Sequence, residues 1–211
     1  MSQVFYDISQ TITPDIIVYP GDPAVRIEQT MRITRGDTVN LSSISMGNHT
    51  GTHIDAPKHF YDQGLTIPDI PFDCLIGPAK VFEFMEEQAI GKSQLQAYNI
   101  KQGDRVLFKT RNSALLTRKE FDPSFTYLMP EAAEYLAEIG IRTLGLDYLT
   151  IDPYGSNDFK AHYILLKKEI IIIEGIDLSV VQPGEYQMVA LPLKLYDGNG
   201  SPARVILIGE K

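Results

Sequence analysis

The chain lacks tryptophan, has one cysteine and has only four histidines among its 211 residues. One cysteine, Cys74, excludes an intrachain disulfide and fits a reducing compartment, so a cytoplasmic protein is expected. No apolar run approaches the roughly 20 residues of a membrane-spanning helix. The N-terminal Met1-Ser2-Gln3-Val4-Phe5-Tyr6-Asp7 has no basic region leading into an apolar stretch, so no signal peptide is expected. Basic residues are outnumbered, 19 Lys and Arg against 27 Asp and Glu, for a net charge of -8. That balance argues against a nucleic-acid surface and against an anionic membrane surface. There is no Gly-x-Ser-x-Gly elbow, no histidine beside Cys74 and no glycine-rich phosphate loop. Serine and cysteine nucleophiles and nucleotide phosphates are thereby set aside.

At 44% hydrophobic and 22% charged, the composition is that of one folded domain over residues 1–211. The first half reads as strands. Val4–Ile8, Val25–Thr34, Thr38–Met46, Ala79–Met85 and Val106–Thr110 are β-branched or alternating. Tyr19-Pro20-Gly21-Asp22-Pro23 is a turn or loop. The second half alternates helix and strand. Pro130–Glu138 is a helix stopped by Gly140, and Arg142–Leu146 a buried strand. Asn157–Lys168 is a helix capped by Asp158, and Glu169–Glu174 a strand apolar on both faces. Tyr186–Leu193 and Ala203–Gly209 are closing strands. The pattern predicts a mixed α/β domain.

Three of the four histidines fall in His49-Thr50-Gly51-Thr52-His53-Ile54-Asp55-Ala56-Pro57-Lys58-His59. His49 and His53 have the spacing of a helical metal pair, but Gly51, two threonines, Ile54 and Pro57 oppose a helix. As extended chain, His49, Gly51, His53, Asp55, Pro57 and His59 share one face. A straight strand would hold His49 and His53 about 13 Å apart. Two nitrogens on one ion sit only roughly 3–3.5 Å apart, so the chain must bend, and Gly51 is placed to let it. His49, His53 and Asp55 are the expected ligands of one ion.

His162 shares a helix face with Leu165 and Leu166 and so points inward, as a ligand or as a satisfied core histidine. Glu174 ends an apolar strand before Gly175, as a functional carboxylate or as a strand-end charge facing water. His59 is either a ligand or a free imidazole for proton transfer. An ion held by neutral imidazoles and carboxylate acidifies a bound water and polarises a carbonyl, and His59 can protonate a leaving amine. His and carboxylate ligands without Cys suit Zn, Mn, Fe or Co almost equally. Tyr19 and Phe60 offer aromatic surface to an aryl group, or pack ordinarily.

The run His49-Thr-Gly-Thr-His53-Ile-Asp55-Ala-Pro57-Lys-His59 resembles the His-x-Gly-Thr-His-x-Asp-x-Pro-x-His signature of the metal-dependent cyclase family, which includes bacterial kynurenine formamidases and isatin hydrolase. The resemblance extends through Tyr19-Pro20-Gly21-Asp22, Gly145-Leu146-Asp147, Ile151-Asp152-Pro153, His162 and Glu174-Gly175. It implies a swivelling β/β/α-type fold with a mixed sheet and a homo-oligomer, a dimer or tetramer. It also implies hydrolysis of an amide or lactam-like bond, with arylformamidase activity on N-formylkynurenine foremost. It further implies that His49, His53 and Asp55 bind zinc or manganese, with one or two ions per chain. Asp55 can bridge to a second ion, held also by His162 and Glu174, and His59 would transfer protons. Such formamidases usually carry tryptophan where this chain has Tyr19, and a Thr-Pro-Ser-Val-Asp-like stretch where it has Tyr148–Asp152; both segments are expected to line the pocket. Opening of a cyclic amide and a metal-binding module without catalysis are the alternatives.

Overall fold

The structure is a computed structural model that describes residues 2–210. Its strands are β1 Gln3–Asp7, β2 Arg26–Met31, β3 Leu41–Ser45, β4 His53–Asp55, β5 Ile76–Phe84 and β6 Ala89–Ile90. They continue as β7 Arg105–Thr110, β8 Tyr127–Leu128, β9 Thr143–Leu146, β10 Ile171–Glu174, β11 Gly184–Pro192 and β12 Gly200–Glu210. The helices are α1 Phe72–Leu75, α2 Lys92–Leu95, α3 Pro130–Ile139 and α4 Lys160–Lys167.

Eight strands form one mixed sheet in the order β1-β12-β11-β5-β7-β9-β10-β4. The β5–β7–β9–β10 stretch is parallel and the other pairings are antiparallel. β4 pairs with β10 on one side and with the start of β12 on the other, which closes the sheet into a barrel-like ring. This is the mixed-sheet α/β fold expected.

β7, β9 and β10 are buried on both faces, so their apolar residues split between two cores. Leu107, Ile171, Ile173 and Ile54 face the ring interior with Met188, Val205 and Leu207. Val106, Phe108, Leu144, Leu146 and Ile172 face outward, against Leu136 of α3 and Leu165 and Leu166 of α4. Each fully buried Ile or Leu contributes about 1.5–3 kcal/mol, so this double burial pins the register of β10. At Gly145 of β9 a Cβ would lie 2.4 Å from Leu107 Cδ2, so only glycine lets the ring pack this tightly there.

α3 begins at Pro130 with Glu131 in its first turn and ends at Gly140 in the left-handed region (φ 77°), as its sequence requires. Several boundaries differ from the expected ones. The Val25–Thr34 and Thr38–Met46 segments form only the short, exposed β2–β3 ribbon, paired to itself outside the ring. A 3-10 turn over Ile33–Arg35 ends the first of them, stabilised by the Arg32 N–H donating to Asp37 Oδ2 at 2.6 Å. The helix expected from Asn157 starts at Lys160, because Phe159 adopts φ 40°. Asp158 does not cap it; its carboxylate accepts from Ser156 Oγ at 2.8 Å. The cap is Asp152, whose two oxygens accept the Ala161 and His162 N–H groups at 3.0 and 3.1 Å. Glu169 sits at φ 56° in the turn before β10, so that strand begins at Ile171.

The histidine run is not one extended face. Only His53–Asp55 is strand, and Pro57–His59 is a 3-10 turn with proline at its start. The expected bend at Gly51 is present, at φ 64°.

Candidate metal and active site

The site is built where β4 meets β10. His53 lies opposite Glu174, and Asp55 opposite Ile172. On β10, Ile171 and Ile173 enter the ring while Ile172 faces α4, so alternation sends Glu174 toward α4 as well. His53 and Asp55 take the same outer face, with Ile54 turned into the core. α4 packs on that side and delivers His162. The two halves of the chain are thus joined by strand register and helix packing.

Two glycine turns hold the corner. A Cβ on Gly175, at φ 68°, would fall 2.3 Å from the Gly51 carbonyl oxygen. That same carbonyl accepts a hydrogen bond from His53 Nδ1 at 2.9 Å, so the bend also aims the imidazole. The Thr52 hydroxyl donates to the Gly175 carbonyl at 2.7 Å and ties the turns together. The His49 ring lies over Gly200, where a Cβ would meet three of its atoms within 2.8 Å.

Tautomers follow from the outer hydrogen bonds. His53 donates through Nδ1, leaving the Nε2 lone pair directed at Glu174 Oε2 (3.3 Å) and Asp55 Oδ1 (3.4 Å). His162 donates through Nδ1 to Asp152 Oδ2 at 2.6 Å, leaving Nε2 at 3.2 Å from Glu174 Oε1 and 3.4 Å from Asp55 Oδ2. His49 Nε2 donates to Asn199 Oδ1 at 3.0 Å and its Nδ1 faces Asp55 Oδ1 at 2.7 Å. Each carboxylate therefore presents one oxygen to His53 and the other to His162. His53, Asp55, His162 and Glu174 are all buried.

This arrangement fits a metal. Acceptor atoms converge at 3.2–3.4 Å, the spacing of ligand atoms around one ion and longer than a charge-assisted hydrogen bond. Asp55 Oδ2 is buried without a hydrogen-bond partner. A buried carboxylate oxygen without a close donor is suited to a cation. Two overlapping groups can each hold an ion: His53, Asp55 and Glu174, and His49, Asp55 and His59. Without a cation the cluster holds protons instead. Burial pushes the His49 imidazole down, but Asp55 beside it outweighs burial and raises it to about 9. Burial likewise opposes protonation of His162, and Glu174 overrides it, moving the group well above the usual histidine value.

His59 stacks on His49, with centroids 4.0 Å apart and planes at 28°. Burial drives it down to about 4 against the pull of Asp55, so it is neutral at pH 7. The cluster forms the floor of a cleft of about 560 Å³. Tyr19 and Phe60 both line the cleft. Phe60 also stacks on His162 at 4.9 Å, and Tyr19 packs edge-on to Phe121 at 5.5 Å. Of the Tyr148–Asp152 segment only Leu149 and Thr150 reach the cleft. Tyr148 is wholly buried, its hydroxyl bonded to the Asp122 backbone.

Asp152 and Asn199, which fix the His162 and His49 tautomers, are not singled out by the sequence for that role. Asp152 carried a signal, an acid before proline ahead of a helix. Asn199 carried none, since Asp197-Gly198-Asn199-Gly200 reads as an ordinary turn.

Fold and cluster together define a ring-sheet α/β protein with a buried imidazole and carboxylate centre suited to a divalent metal. Residues 6–153 match the family described as "Putative cyclase", and the chain belongs to that family. It is 35% identical over 201 residues to the kynurenine formamidases of Bacillus cereus and Bacillus thuringiensis, covering 95% of this chain and 95% of each relative. A solved structure described as a potential metal-dependent hydrolase with cyclase activity is 37% identical and superposes at a TM-score of 0.87, covering all of both chains. Isatin hydrolase A from Labrenzia aggregata, 24% identical, shares the fold at a TM-score of 0.88 over 99% of this chain and 94% of its own.

The proton load sets the sign of a pH effect. With His49 held to about 9, a divalent ion entering at pH 7 must displace a proton. Calorimetric titration with zinc or manganese in buffers of different ionisation enthalpy is expected to show proton release and an affinity that climbs with pH toward about 9. Pairs of titrations that show no buffer dependence at pH 7 would contradict it.

Proposed function

We propose that this protein is a metal-dependent amidohydrolase of aryl formamides, with N-formylkynurenine cleaved to kynurenine and formate as its reaction. One observation carries the reading: the lone pairs of His53 and His162 and all four oxygens of Asp55 and Glu174 converge on the cleft floor beside a neutral His59. The 35% identity to kynurenine formamidases over 95% of both chains supports the substrate.

His49, His53, Asp55, His162 and Glu174 are the proposed ligands. The sharing of both carboxylates between His53 and His162 supports two ions, with zinc or manganese suited to the all-nitrogen-and-oxygen set. Held by these residues, a divalent ion would supply Lewis-acid polarisation of the formyl carbonyl and acidify water in the cleft. Asp152 and Asn199 hold His162 and His49 in the tautomers that leave ligand nitrogens free. His59, neutral at pH 7, takes the proton from the attacking water and returns it to the aryl amine nitrogen as the C–N bond breaks. The expected donor role is thus preceded by a base role. Tyr19 and Phe60 bound the aryl ring.

We also propose a homodimer, formed through the β2–β3 ribbon. Ile27, Leu41 and Ile44 on its strands, with Ile33 and Val39 between them, are apolar residues left exposed by the described residues. The unpaired Cys74 supports a cytoplasmic setting.

His59→Gln should keep its metal content while kcat on N-formylkynurenine falls on the order of a hundredfold or more. Formate release at the wild-type rate would remove His59 from the mechanism. Formate release from no aryl formamide by metal-loaded wild type, with isatin opened instead, would replace the substrate class. Light scattering at micromolar concentration is expected to give twice the chain mass, and Ile44→Lys to lower it. A monomeric wild type would dismiss the ribbon as an interface.

A further inference from the structure

Asp22 has no part in the chemistry above, yet it lines the same cleft as His59 and Glu174. It closes the Tyr19–Asp22 turn, in which the Asp22 N–H donates to the Tyr19 carbonyl at 3.0 Å and Gly21 takes φ 100°. The turn fixes the backbone of Asp22 at the rim beside Tyr19. Asp22 is exposed, and it takes part in none of the ion pairs among the described residues. No Lys or Arg lines the cleft among the described residues, so a substrate carboxylate finds no cationic side chain there. The remaining wall is largely aromatic: Tyr19, Phe60, Phe159 and Tyr163.

A carboxylate without a cationic partner beside aromatic faces is an environment for an organic ammonium. The carboxylate supplies the opposite charge and the rings supply their negative faces. The floor already holds the ligand cluster, so a substrate with its amide at the floor extends its other end toward the rim. A cleft of this volume is of the size that encloses a small aryl molecule with a side arm.

We propose that Asp22 is the ammonium-binding residue of this cleft, and that it selects aryl amides whose side arm carries a cationic amino group. Any carboxylate on that arm points to solvent. This deepens the amidohydrolase reading and rests on it for the orientation of the substrate, but the subsite can be tested without turnover.

The test uses the metal-loaded full chain and two ligands that cannot be hydrolysed: ortho-aminopropiophenone, and kynuramine, the same aryl ketone with a terminal ammonium. The wild type is expected to bind kynuramine roughly tenfold more tightly, a difference of about 1.4 kcal/mol. Asp22→Asn should bring the two ligands within about twofold of each other while leaving the affinity for the neutral ketone unchanged. The preference should also shrink in roughly 1 M salt, as it does for an exposed ion pair. Equal affinities in the wild type, or a preference that survives Asp22→Asn, would overturn the assignment. If the preference is present but N-formylkynurenine is not cleaved, the aryl-formamide reading fails and the subsite stands. If cleavage is present and the preference absent, the reverse holds.

Discussion

Two buried carboxylates, Asp55 and Glu174, share two imidazoles, and the rest of the structure is arranged around that sharing. Two like charges taken out of water carry a desolvation cost of several kcal/mol each unless cations or well-placed donors offset it. Glu174 receives one backbone donor, from the Ile151 N–H at 2.7 Å, and Asp55 Oδ2 receives none. The burial is therefore tolerable only with positive charge in the centre, as protons on His49 and His162 or as a metal. A fold that needed only stability would replace such a cluster with apolar side chains. Its presence, buried between the outer face of an otherwise apolar ring and α4, marks it as functional.

The same constraint explains the local backbone. β4 is three residues long yet pairs on both edges, which fixes His53 and Asp55 relative to Glu174 through main-chain hydrogen bonds instead of side-chain contacts. Gly51 and Gly175 allow the turns that bring this short strand against β10, and Gly200 makes room for His49. His162 is held from behind by Asp152, which also starts the helix that carries it. Rigid placement of this kind lets a metal centre hold its geometry when substrate enters. The cleft above it is acidic and aromatic at the rim and polar at the floor, so it offers different chemistry to the two ends of a substrate.

Much of the imidazole and carboxylate cluster was legible in the sequence because its information is local or periodic. His49, His53, Asp55 and His59 lie within eleven residues, and a bend at Gly51 follows from reach alone. Glu174 was legible as the end of an apolar run, and His162 as the helix residue sharing a face with Leu165 and Leu166. What the sequence did not carry was pairing. Nothing in three residues of β4 says that they bridge β10 and β12, and nothing in the alternating β2 and β3 says that they pair only with each other. Asp158 was the expected cap of α4, but the left-handed Phe159 moves the helix start and Asp152 takes the role. Asn199 acts across 150 residues of chain, a distance that no spacing rule reaches.

The most direct test of the account is the metal content of the purified protein after loading with zinc or manganese and removal of the excess. The sharing of Asp55 and Glu174 between His53 and His162 predicts two ions per chain, with Glu174→Ala holding fewer because the cluster then loses both oxygens of one shared carboxylate. Binding of a full complement of metal by Glu174→Ala, or no metal by the wild type, would contradict it.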